Sequence, residues 1–487
     1  MRNNTSPAQK RLKPSAPLRV RHLLWLLLCF PCALHAQSTA PFDWPAARQQ
    51  VLANHPLSRQ ADLYRDQADA ALLRARGGFD PKAYADHHAK NFSGSTYFRY
   101  TEAGVKWPSW LGLEFKGAYN WASGAYLSSE SKLPKDGQAT FGFNWSLGQG
   151  LLMDERRAAL RQARVSAQQA QAERDLARNE LLLDAAKAYW TWALADNSFR
   201  VFEDARQQAS IRNDAVREGF LQGERAAVDT LETFIQVQSR LLDVNFARVD
   251  RQNSGIGLSN FLWTADQQQL LPADLAAAPS LAAADYSATV GQQVENWVSE
   301  ARAQHPALRY YSAKLQMLEV ERRLKLEKRK PVLDLNYNFL GNGWTFFPTA
   351  TADGVGVLAN DIKWGLQFSY PLLNRKARGE LQISDIKIAQ TELELRQKRQ
   401  DIEMKVRQYA NDLSVLGQQI GLYADIVSKR RALLDAENAR FGLGESSVFL
   451  VNTREQSWLD AQVKYLKLLS EYRKAEAGLR WARGVLE

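Results

Sequence analysis

Cysteine is nearly absent: the 487 residues include two, Cys29 and Cys32, both in a leucine-rich stretch near the N-terminus. Beyond that stretch disulfide frameworks, thiolate metal sites and cysteine nucleophiles are excluded. Gly (28) and Pro (16) are too few for a collagen-like or low-complexity chain, and 45% hydrophobic content is too high for disorder. No run reaches the ~18 apolar residues of a membrane-spanning helix, so a helical span is excluded. Histidine numbers six, and His55, His87, His88 and His305 are the four beyond residue 36.

Basic charge is also scarcer than it looks. Arg2, Lys10, Arg11, Lys13, Arg19 and Arg21 precede the apolar run 23–30, and Ala33-Leu34-His35-Ala36 follows. This order of positive, apolar and small residues reads as a secretory signal over residues 1–36. Without those six cations, and with no acidic residue lost, the net charge falls from +10 to +4. Nucleic acid is therefore not an expected partner.

What the chain has is repetition. Asn54-His55-Pro56 recurs as Gln304-His305-Pro306, and Pro81 as Pro331, both at an offset of 250. Gly150-Leu151-Leu152-Met153 then matches Pro371-Leu372-Leu373-Asn374, Ala188-Tyr189 matches Gln408-Tyr409, and Gly223-Glu224 matches Gly444-Glu445, at offsets of 220 or 221. The first copy thus carries an insert about 30 residues longer, between Pro81 and Leu151.

Inside both inserts the hydrophobic period is two, the strand period. Leu333, Leu335, Tyr337 and Phe339 alternate with polar residues, as do Ile362, Trp364, Leu366 and Phe368. In the first insert the runs are 101–107, 111–121 and 141–147, with a weaker one near 82–90. Two strands are expected in the second insert and four in the first. Elsewhere the pattern is helical and long. Residues 151–218 contain neither Gly nor Pro, enough for ~100 Å of helix. Ile402, Val406, Tyr409, Leu413, Leu416, Ile420, Tyr423 and Val427 keep a four-three spacing, the seam of a coiled coil.

The expected organisation is therefore a first repeat over 37–254, a linker with short helices over 255–293, and a second repeat over 294–487. The first holds a helix, strands about 82–148, a long helix 151–218 and a return helix 224–254. The second holds a helix, strands about 332–370, a long helix 374–441 and a return helix 446–482. The turns at Gly223 and Gly444 stop the long helices, and Ser446 or Ser447 can cap the last one.

Strands that alternate aromatic and polar residues in an exported chain fit a β-barrel, which lipid obliges to close. Four or six strands cannot close alone, so copies must pool them, and three copies would give twelve or eighteen. Either the longer insert adds strands to the barrel or one pair lies outside it. Trp107-Pro108-Ser109-Trp110 reads as an interfacial anchor or as a plain hairpin turn. A soluble sheet on a helical stalk, that is, a periplasmic rod or adaptor-like coiled-coil protein, is the alternative from another functional class.

Pro371-Leu372-Leu373-Asn374, Ala188-Tyr189-Trp190 and Arg440-Phe441-x-x-Gly444 with Ser446 and Ser447, in this order and repeated, resemble the TolC outer-membrane efflux protein family over about residues 42–485. The resemblance implies a mainly α fold whose strands form a shared trimeric transmembrane β-barrel. It implies a homotrimer in the outer membrane of a Gram-negative bacterium, in contact with outer-membrane lipid and reaching into the periplasm. It also implies an exit duct for efflux or type I secretion, with a periplasmic adaptor and an inner-membrane pump of RND or ABC type as partners. By resemblance the adaptor meets the tip turns, Phe220, Leu221, Gln222 and Gly223 and Phe441, Gly442, Leu443 and Gly444. The family's periplasmic gate falls on Asp229, Phe441, Ser446, Leu450 and Thr453, of which only Asp229 keeps the family's residue type. A more apolar closure is expected, without an acidic cation-binding ring.

Enzyme chemistry finds no foothold. His55 and His305 each precede proline and mark helix starts. His87 and His88 are adjacent on a strand and point to opposite faces. No phosphate loop and no nucleophile beside a base occurs. No cofactor, metal or catalytic residue is expected. Substrate and pump class are open.

Overall fold

The computed structural model describes residues 42–129, 132–271, 277–281, 290–344 and 361–485. The expected signal at 1–36 lies outside these residues, as do parts of the linker and of the loop 341–361.

Helices α1 (Trp44–Asn54) and α2 (Pro56–Arg76) lead into four strands: β1 (Lys82–Phe92), β2 (Ser95–Pro108), β3 (Leu113–Ser123) and β4 (Gln138–Ser146). Two long helices follow, α3 (Glu155–Leu221) and α4 (Ala227–Ser259). The second half repeats this order with α5 (Val290–Gln304), α6 (Pro306–Glu327), β5 (Val332–Leu340), β6 (Ile362–Ser369), α7 (Arg375–Gly442) and α8 (Val448–Arg483). Of the linker expected at 255–293, residues 255–259 belong to the end of α4 and 290–293 to the start of α5, and the described stretches between them, 260–271 and 277–281, contain turns and one isolated bridge but no helix. Short helices were expected there. Instead Leu262, Ala278 and Leu281 pack as extended chain into the core around α3.

The starts of α2 and α6 are set by the two repeated histidines. His55 Nδ1 accepts from Leu57 N, and His305 Nδ1 from Ala307 N, each at 3.1 Å. The proline that follows has no N–H to satisfy at that position. Both rings are buried. Burial holds His55 below its ordinary pKa. Burial, reinforced by the cations Lys398, Lys405 and Arg309, pushes His305 down to about 4. Both act as neutral caps.

Alanine allows the long helices to approach closely. Ala185, Ala186 and Ala193 of α3 are fully buried around Tyr189, whose hydroxyl donates to Phe42 O at 2.7 Å. On α7 the seam Ile402, Val406, Leu413 and Ile420 is buried, and Tyr409 lies against Gly478 of α8. α3 packs along α4 on one side and α8 on the other, and α8 packs along α7. α4 and α7 are thus the outer members of the row.

All six strands form one antiparallel sheet in the order β1-β2-β3-β4-β5-β6. The two inserts join through β4 and β5, with Phe141 opposite Phe339 and Phe143 opposite Tyr337. Directly paired residues share a face. One face carries Phe115, Phe141, Phe143, Trp145, Leu335, Tyr337, Trp364, Leu366 and Phe368. The other carries Lys116, Asn120, Asn144, Asn336, Asn338, Gln367 and Lys363.

Candidate functional site

The ends of the two helix pairs away from the sheet are built alike. α3 closes through Gln222 (φ −85, ψ −4) and Gly223 (φ 81), and α7 through Leu443 (φ −84, ψ −2) and Gly444 (φ 78). Glu224 N donates to Gly219 O at 2.8 Å and Glu445 N to Arg440 O at 2.9 Å, the six-to-one bond of a left-handed helix stop. A side chain at either glycine would strain the turn. Leu221 and Leu443 stand 70% and 77% exposed, and Phe220 is exposed beside them.

The return helices start differently. Ser447 Oγ accepts from Leu450 N at 3.4 Å, whereas Ala226 offers α4 no side-chain cap. Ser446 donates instead to Glu437, a buried carboxylate with Arg440 and Arg454 at 3.9 and 3.7 Å. Arg225 joins the two tips. Its guanidinium carbon lies 4.3 Å from the Phe441 ring centre, and its Nη2 donates to Phe441 O at 3.3 Å.

The gate positions derived by resemblance are not joined to one another. Among the described residues no hydrogen bond or ion pair connects the Asp229 side chain to Phe441 or Ser446. Leu450 is exposed, and the Thr453 hydroxyl donates back to Phe449 O at 2.8 Å. Sequence reasoning missed Arg225, Glu437 and a polar layer one step further from the tip. There Arg212 Nη1 donates to Glu455 at 2.8 Å and Asn452 at 3.1 Å, and Arg240, 1% exposed, donates to Gln456 at 2.7 Å. Glu437 had a signal: it continues the α7 seam as a charge where an apolar residue belongs. Arg225 had none.

No helix among the described residues is long and apolar enough to cross a membrane. No group of three or more His, Cys, Asp or Glu among them is placed to hold a metal ion. His87 lies on the face of β1 that is continuous with the apolar face, with Nδ1 2.8 Å from Thr101 Oγ1.

Long paired helices with matched tips are thus joined to a sheet that is apolar on one side and polar on the other. The sequence profile described as outer membrane efflux protein matches residues 111–262 and 297–485. The chain belongs to that family. Among solved structures, the outer-membrane protein VceC of Vibrio cholerae is 14% identical with a TM-score of 0.62, covering 90% of this chain and 95% of its own. The CmeC outer membrane channel of Campylobacter jejuni is 13% identical (TM-score 0.60; 91% and 85%). The open state of the Neisseria gonorrhoeae MtrE outer membrane channel is 14% identical (TM-score 0.59; 91% and 89%). At these identities the likeness is one of fold. Comparison with curated proteins gives no match.

Proposed function

We propose that three copies of this chain form the exit duct of a tripartite efflux or type I secretion assembly. In this reading the sheet crosses the outer membrane with its apolar face in lipid and its polar face on a water-filled bore. The helices continue the bore through the periplasm, and substrate passes down its gradient without chemistry.

The observation that carries this reading is the pair of unmatched edges on one molecule. Among the described residues the sheet ends in two free strands, β1 and β6, and lipid tolerates neither. The helix row ends in α4 and α7, and both display exposed apolar side chains at helical spacing. These are Val228, Leu231, Ile235, Leu242, Phe246 and Val249 on α4, and Ile383, Ile386, Leu393, Leu422 and Leu433 on α7. Two different unsatisfied edges on one molecule call for a head-to-tail ring of identical copies.

The tips, with Leu221 and Leu443 outermost, are the docking surface we assign to a periplasmic adaptor, itself tied to an inner-membrane pump of RND or ABC type. Asp229, Phe441, Ser446, Leu450 and Thr453 lie at that end, where closure would occur. Detergent-purified protein imaged by electron microscopy and inserted in planar bilayers tests the reading. A threefold particle with discrete conductance is expected. A monomer that remains in the aqueous fraction without detergent would overturn it.

A further inference from the structure

The hairpin β1–β2 is what the longer first insert adds, and its place follows from three observations. The sheet is continuous through it, with eleven paired positions from Lys82↔Lys106 to Phe92↔Ser95, broken by a single register shift at Lys90/Asn91, and ten from Arg99↔Ser123 to Pro108↔Glu114. Its two faces extend those of β3–β6. Val105, Ala103 and Trp107 share the side of Tyr119 and Phe115, while Lys82, Asp86, His88, Glu102 and Lys106 share that of Lys116 and Asn120. That charged side is bound to the rest of the polar face. Lys116 pairs with Glu102 at 2.6 Å, Tyr100 donates to Asn120 at 3.0 Å, and Lys106 lies 4.4 Å from the Tyr84 ring centre.

Curvature gives the third observation. A Cβ on Gly104 would sit 2.7 Å from Ala118 Cβ, and one on Gly142 would sit 2.2 Å from Tyr337 O. Both glycines belong to the polar face, on β2 and β4. The strands therefore fold towards the polar side at β2–β3 as they do at β4–β5, with glycine at each bend. The hairpin continues one concave wall. Laid outside the ring, it would turn Lys82, Asp86, Glu102 and Lys106 towards lipid, where charge is strongly disfavoured.

We propose that β1 and β2 are full members of the membrane wall. Each subunit then gives six strands, and β6 of one copy pairs antiparallel with β1 of the next. This rests on the threefold ring proposed above, which then closes with eighteen strands. At ~4.8 Å between strands and ~40° tilt, the wall is about 36 Å across between backbones, against about 24 Å for twelve strands. The outer-membrane section is then a wide aqueous bore, and the selection of solutes by size falls to the helix tips.

Cysteine cross-linking tests this on the full chain, which has no cysteine beyond Cys32. Cysteines at Tyr84, Asp86 or His88 are combined with cysteines at Gly365, Gln367 or Ser369 and oxidised in outer-membrane preparations. Disulfide-linked dimers and trimers are expected from at least one pairing, and none from Lys116, Ala118 or Asn120 combined with the same β6 positions. Strands counted in the wall by electron cryomicroscopy in nanodiscs give a readout independent of register, with eighteen expected. Links from β3 to β6, or a threefold particle with a twelve-stranded wall, would overturn the hairpin's place and leave the duct intact. A particle with no ring would overturn both.

Discussion

The guanidinium of Arg225, on the first tip, lies 4.3 Å from the ring centre of Phe441, on the second, and donates to that residue's carbonyl oxygen. One side chain therefore holds two helix ends that are 216 residues apart in the chain. A cation–π contact of this kind, partly open to solvent, contributes about 0.5–1 kcal/mol. In the duct reading, Arg225→Ala should raise open probability about two- to five-fold in planar bilayers, by the conversion of that energy to a population ratio. An unchanged open probability would remove Arg225 from the closure.

Glu455 and Arg212 form a buried ion pair between α8 and α3, with side chains 4% and 14% exposed. Removing one partner strands the other. Glu455→Leu should lower stability by about 3 kcal/mol, and Arg212→Met with Glu455→Leu should recover most of the loss. Thermal unfolding followed by circular dichroism separates the three proteins, and a double variant no better than the single one would contradict the pairing.

Gly478 of α8 lies directly against the Tyr409 ring of α7. A Cβ there would lie 2.3 Å from the Tyr409 ring. Gly478→Ala should cost about 1–3 kcal/mol by overpacking. The same unfolding measurement reads it, and a neutral outcome would mean that the ring moves aside freely.

His305 is neutral in the fold because burial and three nearby cations push its pKa down to about 4. The unfolded chain, with the ordinary value near 6.5, takes up the proton first as pH falls. Its contribution to stability is thus whole above about pH 6.5 and declines towards pH 4, below which the folded protein also binds the proton. His305→Asn keeps an acceptor for Ala307 N and should flatten that decline in melting temperature between pH 6.5 and 4. An unaltered pH profile would assign the decline to other groups.

The faces of the sheet differ in what they tolerate. Leu335 is on the apolar side and Asn336, its neighbour, on the polar side. In the duct reading, Leu335→Arg should disfavour membrane insertion by about 2–4 kcal/mol, seen as lost outer-membrane fractionation, while Asn336→Arg should fractionate as the parent does. Equal behaviour of the two would overturn the assignment of one face to lipid and the other to the bore.

Much of the fold could be read locally. Strands were legible in Leu333 to Phe339 and in Ile362 to Phe368 because a half-wet sheet needs period two. Long helices were legible because no breaker interrupts residues 151–218, and the α7 seam because a coiled coil needs its four-three spacing. The described linker was misread as helical, since alanine favours helix until a groove in the core takes it as extended chain. At the tips, Gly223 and Gly444 could be read because both stops require a left-handed residue. The contacts of Arg225 and Glu437 could not, because nothing local says which surface they meet.

The amino-acid sequence by itself determined the periodicities, the two-fold repetition and the turns, all of which depend on residues within a few positions of one another. Only the tertiary structure decided that β4 pairs with β5 and that, among the described residues, β1 and β6 are left as edges. Those choices rest on contacts such as Phe141 with Phe339. Several apolar strands could satisfy the same pattern, and only long-range pairing selects among them.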